Sequence, residues 1–309
     1  MKLFIIGNGF DIGHGLKTRY WDFRTFLQKS YPEFLYDFES NYNIYPNFTK
    51  AEKEEMLWND FEMNLANIDE DIIIENAVSI DMGLESGDIG IEDTLSDYFL
   101  KQFEYINKLP EYLKYWIRSI RIRDIMPKTK LINCKNDDIY LTFNYTSVLE
   151  NVYKIKEDKI IHIHGSLRER YGEPKIGHGN YKKIQDIKRR REKAYEMCDE
   201  KEVSISKVIE NYYISTYKDV KQYMIKLLDL REKNIEEIIV IGHSLSDVDM
   251  PYFEMVNRLS GNKVMWNVYY FDDKKGNNKK EQMYDNLIKY GIKKEQIKMD
   301  NSDKFYELI

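Results

Sequence analysis

The chain contains five histidines, at positions 14, 162, 164, 178 and 243, and each lies within three residues of a glycine. Histidine is the side chain whose ordinary pKa lies nearest neutral pH, so a histidine at a glycine-bounded turn can act as a general acid or base. His162 and His164 stand together in the segment IHIHGS (161–166). Strand alternation favours a buried structural role for His162 and leaves His164, at the strand's exit, as the candidate general base.

A glycine-rich turn, GNGFDIGHG (7–15), follows the first apolar run of the chain. Glycines permit tight turns and let a phosphate approach bare backbone N–H groups. The spacing differs from the GxGxxG dinucleotide motif, because the third glycine comes one residue late. A tight turn without a ligand is therefore an equal alternative. Asp11 within this turn is either a carboxylate that stabilises positive charge or a turn-forming residue.

Two further segments carry polar residues after apolar runs. Asn144 ends the run TFN, where its amide could hold a water or a sugar hydroxyl; the alternative is a helix N-cap, which Thr146 or Ser147 fills better. The segment GHSLSDVDMPYF (242–253) offers backbone N–H groups and Ser244. It lacks the second glycine of a GxSxG nucleophile elbow, which argues against a serine hydrolase.

The elements that must position these residues are apolar runs that end in glycine or polar turns. Strands are predicted at KLFIIG, DIYLTFNY, KIIHIHGS, EEIIVIGHSL, KVMWNVYYFDD and QIKMD. Strands of this kind that feed helices are typical of a doubly wound, mainly parallel α/β sheet, which binds ligands at the carboxyl ends of its strands. The candidate residues would then gather at one edge of the sheet.

Long stretches between the strands have helical spacing of aromatic and apolar residues. We predict one α/β domain over residues 1–309, with helical insertions at about 24–130 and 180–232. The segment NGFDIGHGLK is predicted as a turn, and Pro110 is expected to break or begin a helix.

Composition limits the classes of protein that remain. Apolar residues make up 42% and charged residues 32%, as in folded soluble proteins. The two cysteines, Cys134 and Cys198, are far apart, which excludes a zinc ribbon and favours a reducing cytosol. We expect no metal, no membrane segment and no signal peptide.

The net charge is −6, yet the segment KKIQDIKRRREK (182–193) has seven basic and two acidic residues. Such a run can bind nucleic acid. In an acidic chain, and without aromatic residues inside the run, a solvated helix face is the favoured interpretation.

Four motifs in order, LFIIGNGFDIGHGLKTRYWDF, TFNYTSVLENVY, HIHG and GHSLSDVDMPYF, resemble the AbiH family of bacterial phage abortive-infection proteins. They span residues 3–253. The resemblance implies a role in defence against phage.

A more distant resemblance is to the sirtuin-like NAD-binding fold, which has a glycine turn, an asparagine motif, an HG pair and a GTSL turn. The matching residues here are Gly7, Gly9, Gly15, Asn144, His164, Gly165, Gly242 and Ser244. Thr146 replaces the aspartate of the asparagine motif, and His243 replaces the threonine of the GTSL turn. The zinc-ribbon cysteines of protein deacetylases are absent, and zinc-free members of the wider fold tend to be NAD hydrolases.

These resemblances imply hydrolysis of NAD or a related nucleotide, with Asn144 and His164 as catalytic residues. The implied ligand-binding residues are Gly7, Asn8, Gly9, Asp11, Gly15, Gly165, Gly242, His243 and Ser244. One alternative is a non-hydrolysing nucleotide sensor, in which the helical segments 24–130 and 180–232 transmit the bound state to a partner. A phage trigger, a partner protein and a second copy of the chain are the partners considered. Another is a toxin that targets nucleic acid.

Overall fold

A computed structural model describes residues 1–75, 104–271 and 279–306. Its centre is a six-stranded sheet with the strand order β3-β2-β1-β4-β5-β6. Every pairing is parallel. The strands are β1 (Lys2–Ile6), β2 (Ile139–Thr142), β3 (Ile160–His162), β4 (Glu237–Ile241), β5 (Met265–Tyr270) and β6 (Ile297–Asn301). The predicted doubly wound α/β fold is confirmed.

The central strands are apolar on both sides because helices cover both faces of a parallel sheet. In β1, Leu3 and Ile5 belong to one buried cluster, whereas Phe4 and Ile6 belong to the other. This explains why the strands read as continuous apolar runs and not as an alternating pattern.

The strand order reverses between β1 and β4, where Ile6 pairs with Ile241. A ligand crevice in a doubly wound sheet lies outside the carboxyl ends of the strands at such a switch point. The segments that leave this edge are Gly7 onward and Gly242 onward. Both were identified from sequence as candidate ligand-binding segments.

The described helices are α1 (Asn8–Gly13), α2 (Tyr20–Ser30), α3 (Pro32–Ser40), α4 (Lys50–Lys53), α5 (Phe61–Asn64), α6 (Glu104–Ser119), α7 (Val148–Asn151), α8 (Tyr181–Glu196), α9 (Glu200–Ser215), α10 (Val220–Met224), α11 (Met250–Leu259), α12 (Lys279–Lys289) and α13 (Ser302–Tyr306). A π-helix covers Glu54–Trp58 and a 3₁₀ helix covers Ile225–Glu232. None of the helices in the described ranges is long and apolar enough to cross a membrane.

The chain divides into two compact units. The first contains the sheet and comprises Met1–Arg19, Lys114–Lys175 and Asp219–Ile309. The second comprises Tyr20–Leu113 and Ile176–Lys218, and its described elements are helical. The organisation as a single domain with insertions at 24–130 and 180–232 stays a prediction.

Two local predictions were wrong. The segment after β1 is not a loop, because helix α1 begins at Asn8, directly after the N-cap Gly7. Pro110 lies inside α6 and neither breaks nor begins it. The helix tolerates the missing N–H because it buries an apolar stripe that includes Leu109, Leu113 and Trp116.

Candidate functional site

The segments that follow β1 and β4 cross in direct backbone contact. The Gly7 N–H donates to the Ile241 carbonyl at 3.0 Å, and the Gly9 N–H donates to the Gly242 carbonyl at 2.7 Å. A Cβ on Gly7 would lie 2.6 Å from the Gly242 oxygen, and a Cβ on Gly242 would lie 2.1 Å from the Phe10 nitrogen. The glycines are therefore required for the crossing itself, and the N–H groups of Gly7 and Gly9 are already engaged.

Two exposed polar residues lie close to the crossing: Asn8 in the segment that follows β1 and Ser244 in the segment that follows β4. The Asn8 amide donates to the Thr18 carbonyl at 2.8 Å and so holds the segment that follows α1. Gly15 is exposed in that segment, with a φ of +82° and open space around its Cα.

A buried polar cluster of Asp11, Asn144 and Thr146 lies beside Gly7. The Asn144 amide donates to the Gly7 carbonyl at 3.1 Å, and the Thr146 hydroxyl donates to Asp11 Oδ2 at 2.6 Å. Asp11 Oδ1 and Asn144 Oδ1 are buried and have no hydrogen-bond partner among the described residues. Burial raises the pKa of Asp11 to about 7, while hydrogen bonds from Thr146 and Asn144 partly oppose this rise.

His162 supports the main chain at Asn144. Its Nδ1 lies 3.0 Å from the Asn144 carbonyl and must carry a proton, because a carbonyl only accepts. Its Nε2 lies 3.1 Å from Glu150 Oε1. Both ring nitrogens of His162 therefore face oxygen atoms of neighbouring groups. Its side chain is fully buried, which agrees with the structural role expected for His162.

His164 belongs to a different set of neighbours. Its Nε2 lies 3.2 Å from the Tyr252 hydroxyl. Its ring centre lies 5.4 Å from that of Phe143, 5.5 Å from that of Tyr252 and 5.9 Å from that of Tyr223. These aromatic residues belong to the cluster around Leu3 and Ile5, whereas Ile160 in the same strand as His162 belongs to the opposite cluster.

The separation of His162 and His164 arises because β3 ends at His162. Strand alternation would put both side chains on one face, but a turn follows the strand and Ile163 packs with the Leu3 and Ile5 cluster. Gly165 completes the turn with a φ of +81°, and a Cβ there would lie 2.2 Å from the Glu173 carbonyl oxygen. Asn144 and His164 thus stand at neighbouring strand ends with different contacts.

His243 holds the turn after β4. Its Nδ1 accepts the Leu245 N–H at 2.9 Å, so the ring proton is on Nε2, which lies 3.5 Å from Asp249 Oδ2. The ring packs on Phe143 at 4.3 Å between centres. The neighbouring Ser244 is exposed, and Leu245 is buried with a φ of +54°. With Nδ1 occupied by a backbone donor and Nε2 facing a carboxylate, His243 is poorly arranged to activate a serine.

His14 is satisfied within the fold. Its Nδ1 lies 2.8 Å from the Phe10 carbonyl, and its Nε2 lies 2.7 Å from the Tyr153 hydroxyl, which accepts the Lys128 N–H at 3.0 Å. Nδ1 therefore donates, Tyr153 donates to Nε2, and the ring is neutral. Burial lowers the pKa of His14 accordingly.

Sequence reasoning missed Tyr252, Tyr223 and Glu150. Tyr252 lies within GHSLSDVDMPYF, but nothing in its spacing indicates contact with His164. Glu150 and His162 are 12 residues apart and have no helical spacing in common. Thr146 was considered as a helix N-cap and as a departure from the sirtuin-like pattern, whereas the structure places its hydroxyl on Asp11.

The basic segment 182–193 lies in α8, which packs against α9. All three of its arginines have acidic partners: Arg189 pairs with Asp186 at 2.9 Å, Arg190 pairs with Glu202, and Arg191 pairs with Glu210 at 2.5 Å. These ion pairs support the interpretation of a solvated structural helix.

Fold and site together define a doubly wound α/β protein with a glycine crossing at its switch point and a buried polar cluster beside it. A protein-family model described as bacteriophage abortive infection AbiH matches residues 3–270. The chain therefore belongs to the AbiH family, and its role is in abortive infection by phage. A search of the curated proteins finds no match.

Proposed function

We propose that this AbiH protein acts by binding NAD or a related nucleotide at the β1–β4 switch point and hydrolysing its N-glycosidic bond. The observation that carries the proposal is the pair of buried, unpartnered oxygens, Asp11 Oδ1 and Asn144 Oδ1. Buried polar atoms in native proteins are rarely left without partners among described groups unless a ligand or water supplies them. Their position at the carboxyl ends of β1 and β2 is where this fold class takes nucleotides.

The Asn144 oxygen and an ionised Asp11 carboxylate only accept hydrogen bonds, so with Asp11 ionised the missing group is a donor. Ribose hydroxyls and a water molecule are donors, whereas a phosphate oxygen is an acceptor. Asn144 therefore holds the ribose or the attacking water. Cleavage at an anomeric carbon passes through an oxocarbenium-like state, and an ionised Asp11 would stabilise its positive charge.

His164 takes the proton from the water or from a ribose hydroxyl. If its Nε2–H donates to the Tyr252 oxygen, Nδ1 is the nitrogen that acts as the base. The aromatic rings of Phe143 and Tyr223 hold the imidazole plane. Because the Gly7 and Gly9 N–H groups are engaged in the crossing, the pyrophosphate lies at the start of α1 and along the Gly242–Leu245 segment, with Asn8 and Ser244 as its exposed polar contacts.

The test is incubation of the purified protein with NAD, NADP, ATP and GTP, followed by chromatography of products and calorimetric measurement of binding. His164→Ala and Asn144→Ala should each reduce base release by roughly 10²–10⁴, the usual scale for lost acid–base catalysis. The double variant should lose little more than either single variant, because the two residues act in one step.

Asp158→Asn is the control, since Asp158 is exposed at the amino end of β3, away from the proposed site. If the wild-type protein binds a nucleotide but releases no base, and neither variant changes that binding, the nucleotide-sensor alternative is supported. Failure of all four nucleotides to bind would contradict the proposal.

A further inference from the structure

Lys226, in the 3₁₀ helix Ile225–Glu232, has an ammonium group with three carbonyl partners. Its Nζ donates to the oxygens of His162 at 2.9 Å, Ile163 at 3.1 Å and Tyr171 at 3.3 Å. An ammonium has three N–H donors, so these three acceptors saturate it. Among the described residues no carboxylate lies within ion-pair distance of Lys226. The group is half-buried, and burial lowers its pKa.

The three carbonyls surround the turn at which the chain leaves β3. His162 is the last residue of the strand, Ile163 follows it, and His164 comes next. β3 is an edge strand of the sheet, so on its outer side no neighbouring strand supplies a donor to the His162 carbonyl, which otherwise accepts only the long bond from the Gly165 N–H at 3.4 Å among the described residues. Lys226 supplies a donor there. At this point the alternation of side chains along β3 ends, and His164 is directed away from His162.

Helix α10, which leads directly into this 3₁₀ helix, also contacts the His164 ring. Tyr223 lies three residues before Lys226 and packs edge-on against His164, with 5.9 Å between ring centres. The Lys226 ammonium lies 5.8 Å from the centre of the Tyr223 ring. Lys226 thus binds the main chain of the HIHG segment, and Tyr223 contacts the side chain of its second histidine.

We propose that Lys226 is a positioning residue for His164: its ammonium fixes the turn that directs the imidazole into the aromatic set of Phe143, Tyr223 and Tyr252. The catalytic part of this inference rests on the proposed function, whereas the positional part does not. A compact ammonium with three rotatable donors suits three converging carbonyls. Methionine has a similar length and no donor, so Lys226→Met removes all three bonds with little change in volume.

The positional test is imidazole NMR of protein labelled with ¹⁵N-histidine, with the His164 signals assigned through His164→Gln. Lys226→Met should shift the His164 nitrogen signals and change their titration, while the signals of His14 keep their wild-type positions. Lys226→Arg, which retains donors, should restore most of the wild-type His164 spectrum. Lys221→Met is the control, because Lys221 is exposed on the neighbouring helix α10.

The catalytic test is base release from NAD. Lys226→Met should lower kcat by roughly 10- to 100-fold with little change in KM, because a small misplacement of a catalytic group affects turnover most. If the wild-type protein releases no base, the proposed function fails while the NMR result still decides the position of His164.

Unchanged His164 signals in folded Lys226→Met would overturn the inference. If that variant does not fold, Lys226→Gln replaces it. Its shorter amide reaches fewer of the carbonyls, so the His164 signals should shift partway; wild-type signals in this variant would also overturn the inference.

Discussion

Asp11 is a carboxylate whose ionisation is set by burial and not by charge pairing. Its side chain lies beside Asn144, with the Thr146 hydroxyl on one oxygen and no described partner on the other. Desolvation disfavours the charged form and raises the pKa of Asp11 to about 7. Near neutral pH the group can therefore exist in either form, as an acid–base or charge-stabilising residue requires.

The raised pKa makes Asp11 a pH-dependent element of stability. Between the ordinary carboxyl pKa and about 7, the folded state holds a proton that the unfolded state has lost. Stability therefore falls as the pH rises through that window, and it is highest below it. From pH 5 to pH 8 the loss due to Asp11 should be about 2–3 kcal/mol.

Asp11→Asn should abolish this pH-dependent loss, because asparagine keeps the acceptor for Thr146 and does not ionise. We expect the free energy of unfolding of the variant to equal that of the wild type near pH 5 and to exceed it at pH 8. Urea unfolding at the two pH values measures this, with exposed Asp158→Asn as the control. Parallel pH dependence of the wild type and Asp11→Asn would contradict the assigned pKa.

At the scale of elements, the crossing of the segments that follow β1 and β4 depends on Gly242. Its φ is +69°, and a Cβ would lie 2.1 Å from the Phe10 backbone nitrogen. Gly261 has a similar φ of +84°, but a Cβ there would meet open space. The two glycines therefore separate the effect of backbone conformation from the effect of crowding.

Gly261→Ala should cost about 1–2 kcal/mol, the usual penalty of a left-handed conformation for a residue with a Cβ. Gly242→Ala should cost more than about 4 kcal/mol, since two backbone segments must also move apart. Thermal and urea unfolding of both variants measure the difference. Equal losses would show that the crossing is not close-packed in solution.

At the scale of the whole molecule, the helical unit contains its own buried titrating group. His178 Nδ1 accepts the Asn180 N–H at 3.1 Å, and Nε2 donates to the Tyr213 carbonyl at 3.1 Å. Protonation would remove the first bond, and burial lowers the pKa of His178 to about 4. Asn180 is the N-cap of α8, so this neutral histidine supports the start of that helix.

Acidification should destabilise the protein through His178. Its contribution is complete above about pH 6.5 and is lost as the pH falls towards about 4. Between pH 7 and pH 5 the loss is about 2 kcal/mol, opposite in sign to the effect of Asp11. In urea unfolding, His178→Gln should lose less stability on acidification than the wild type, and Asp11→Asn should lose more. The same acid response in all three proteins would refute both assignments.

The ion pairs of α8 lead to a prediction about nucleic acid. Because Arg190 and Arg191 are engaged by Glu202 and Glu210, the helix presents less net charge than its sequence indicates. At 150 mM salt we expect no binding to single-stranded DNA or tRNA tighter than about 10 µM, within the range of non-specific contacts. Fluorescence polarisation across a salt series measures this. Submicromolar, salt-dependent binding would instead favour the alternative that the protein is a toxin that targets nucleic acid.

The sequence alone determined the sheet. Buried parallel strands need apolar residues on both faces, so β1, β2 and β4 stand out as short apolar runs that end in glycine or a polar turn. That pattern was enough to predict the α/β class and to gather Gly7, Asn144, His164 and Gly242 at the strand ends. The start of α1 at Asn8 was missed, because Gly9 and Gly13 indicate a turn when read locally.

Only the tertiary structure decided how these residues are used. The amide of Asn144 meets a carbonyl 137 residues away, and the N–H of Gly9 donates to the carbonyl of Gly242, in the segment that follows β4. The His162 carbonyl, where the turn begins, accepts from Lys226, which is 64 residues distant. Hydrogen-bond partners, the protonated nitrogen of each histidine and the pKa of Asp11 all follow from such neighbours. Sequence spacing predicts which strand end a residue occupies, whereas the atoms that surround it are set by packing between segments far apart in the chain.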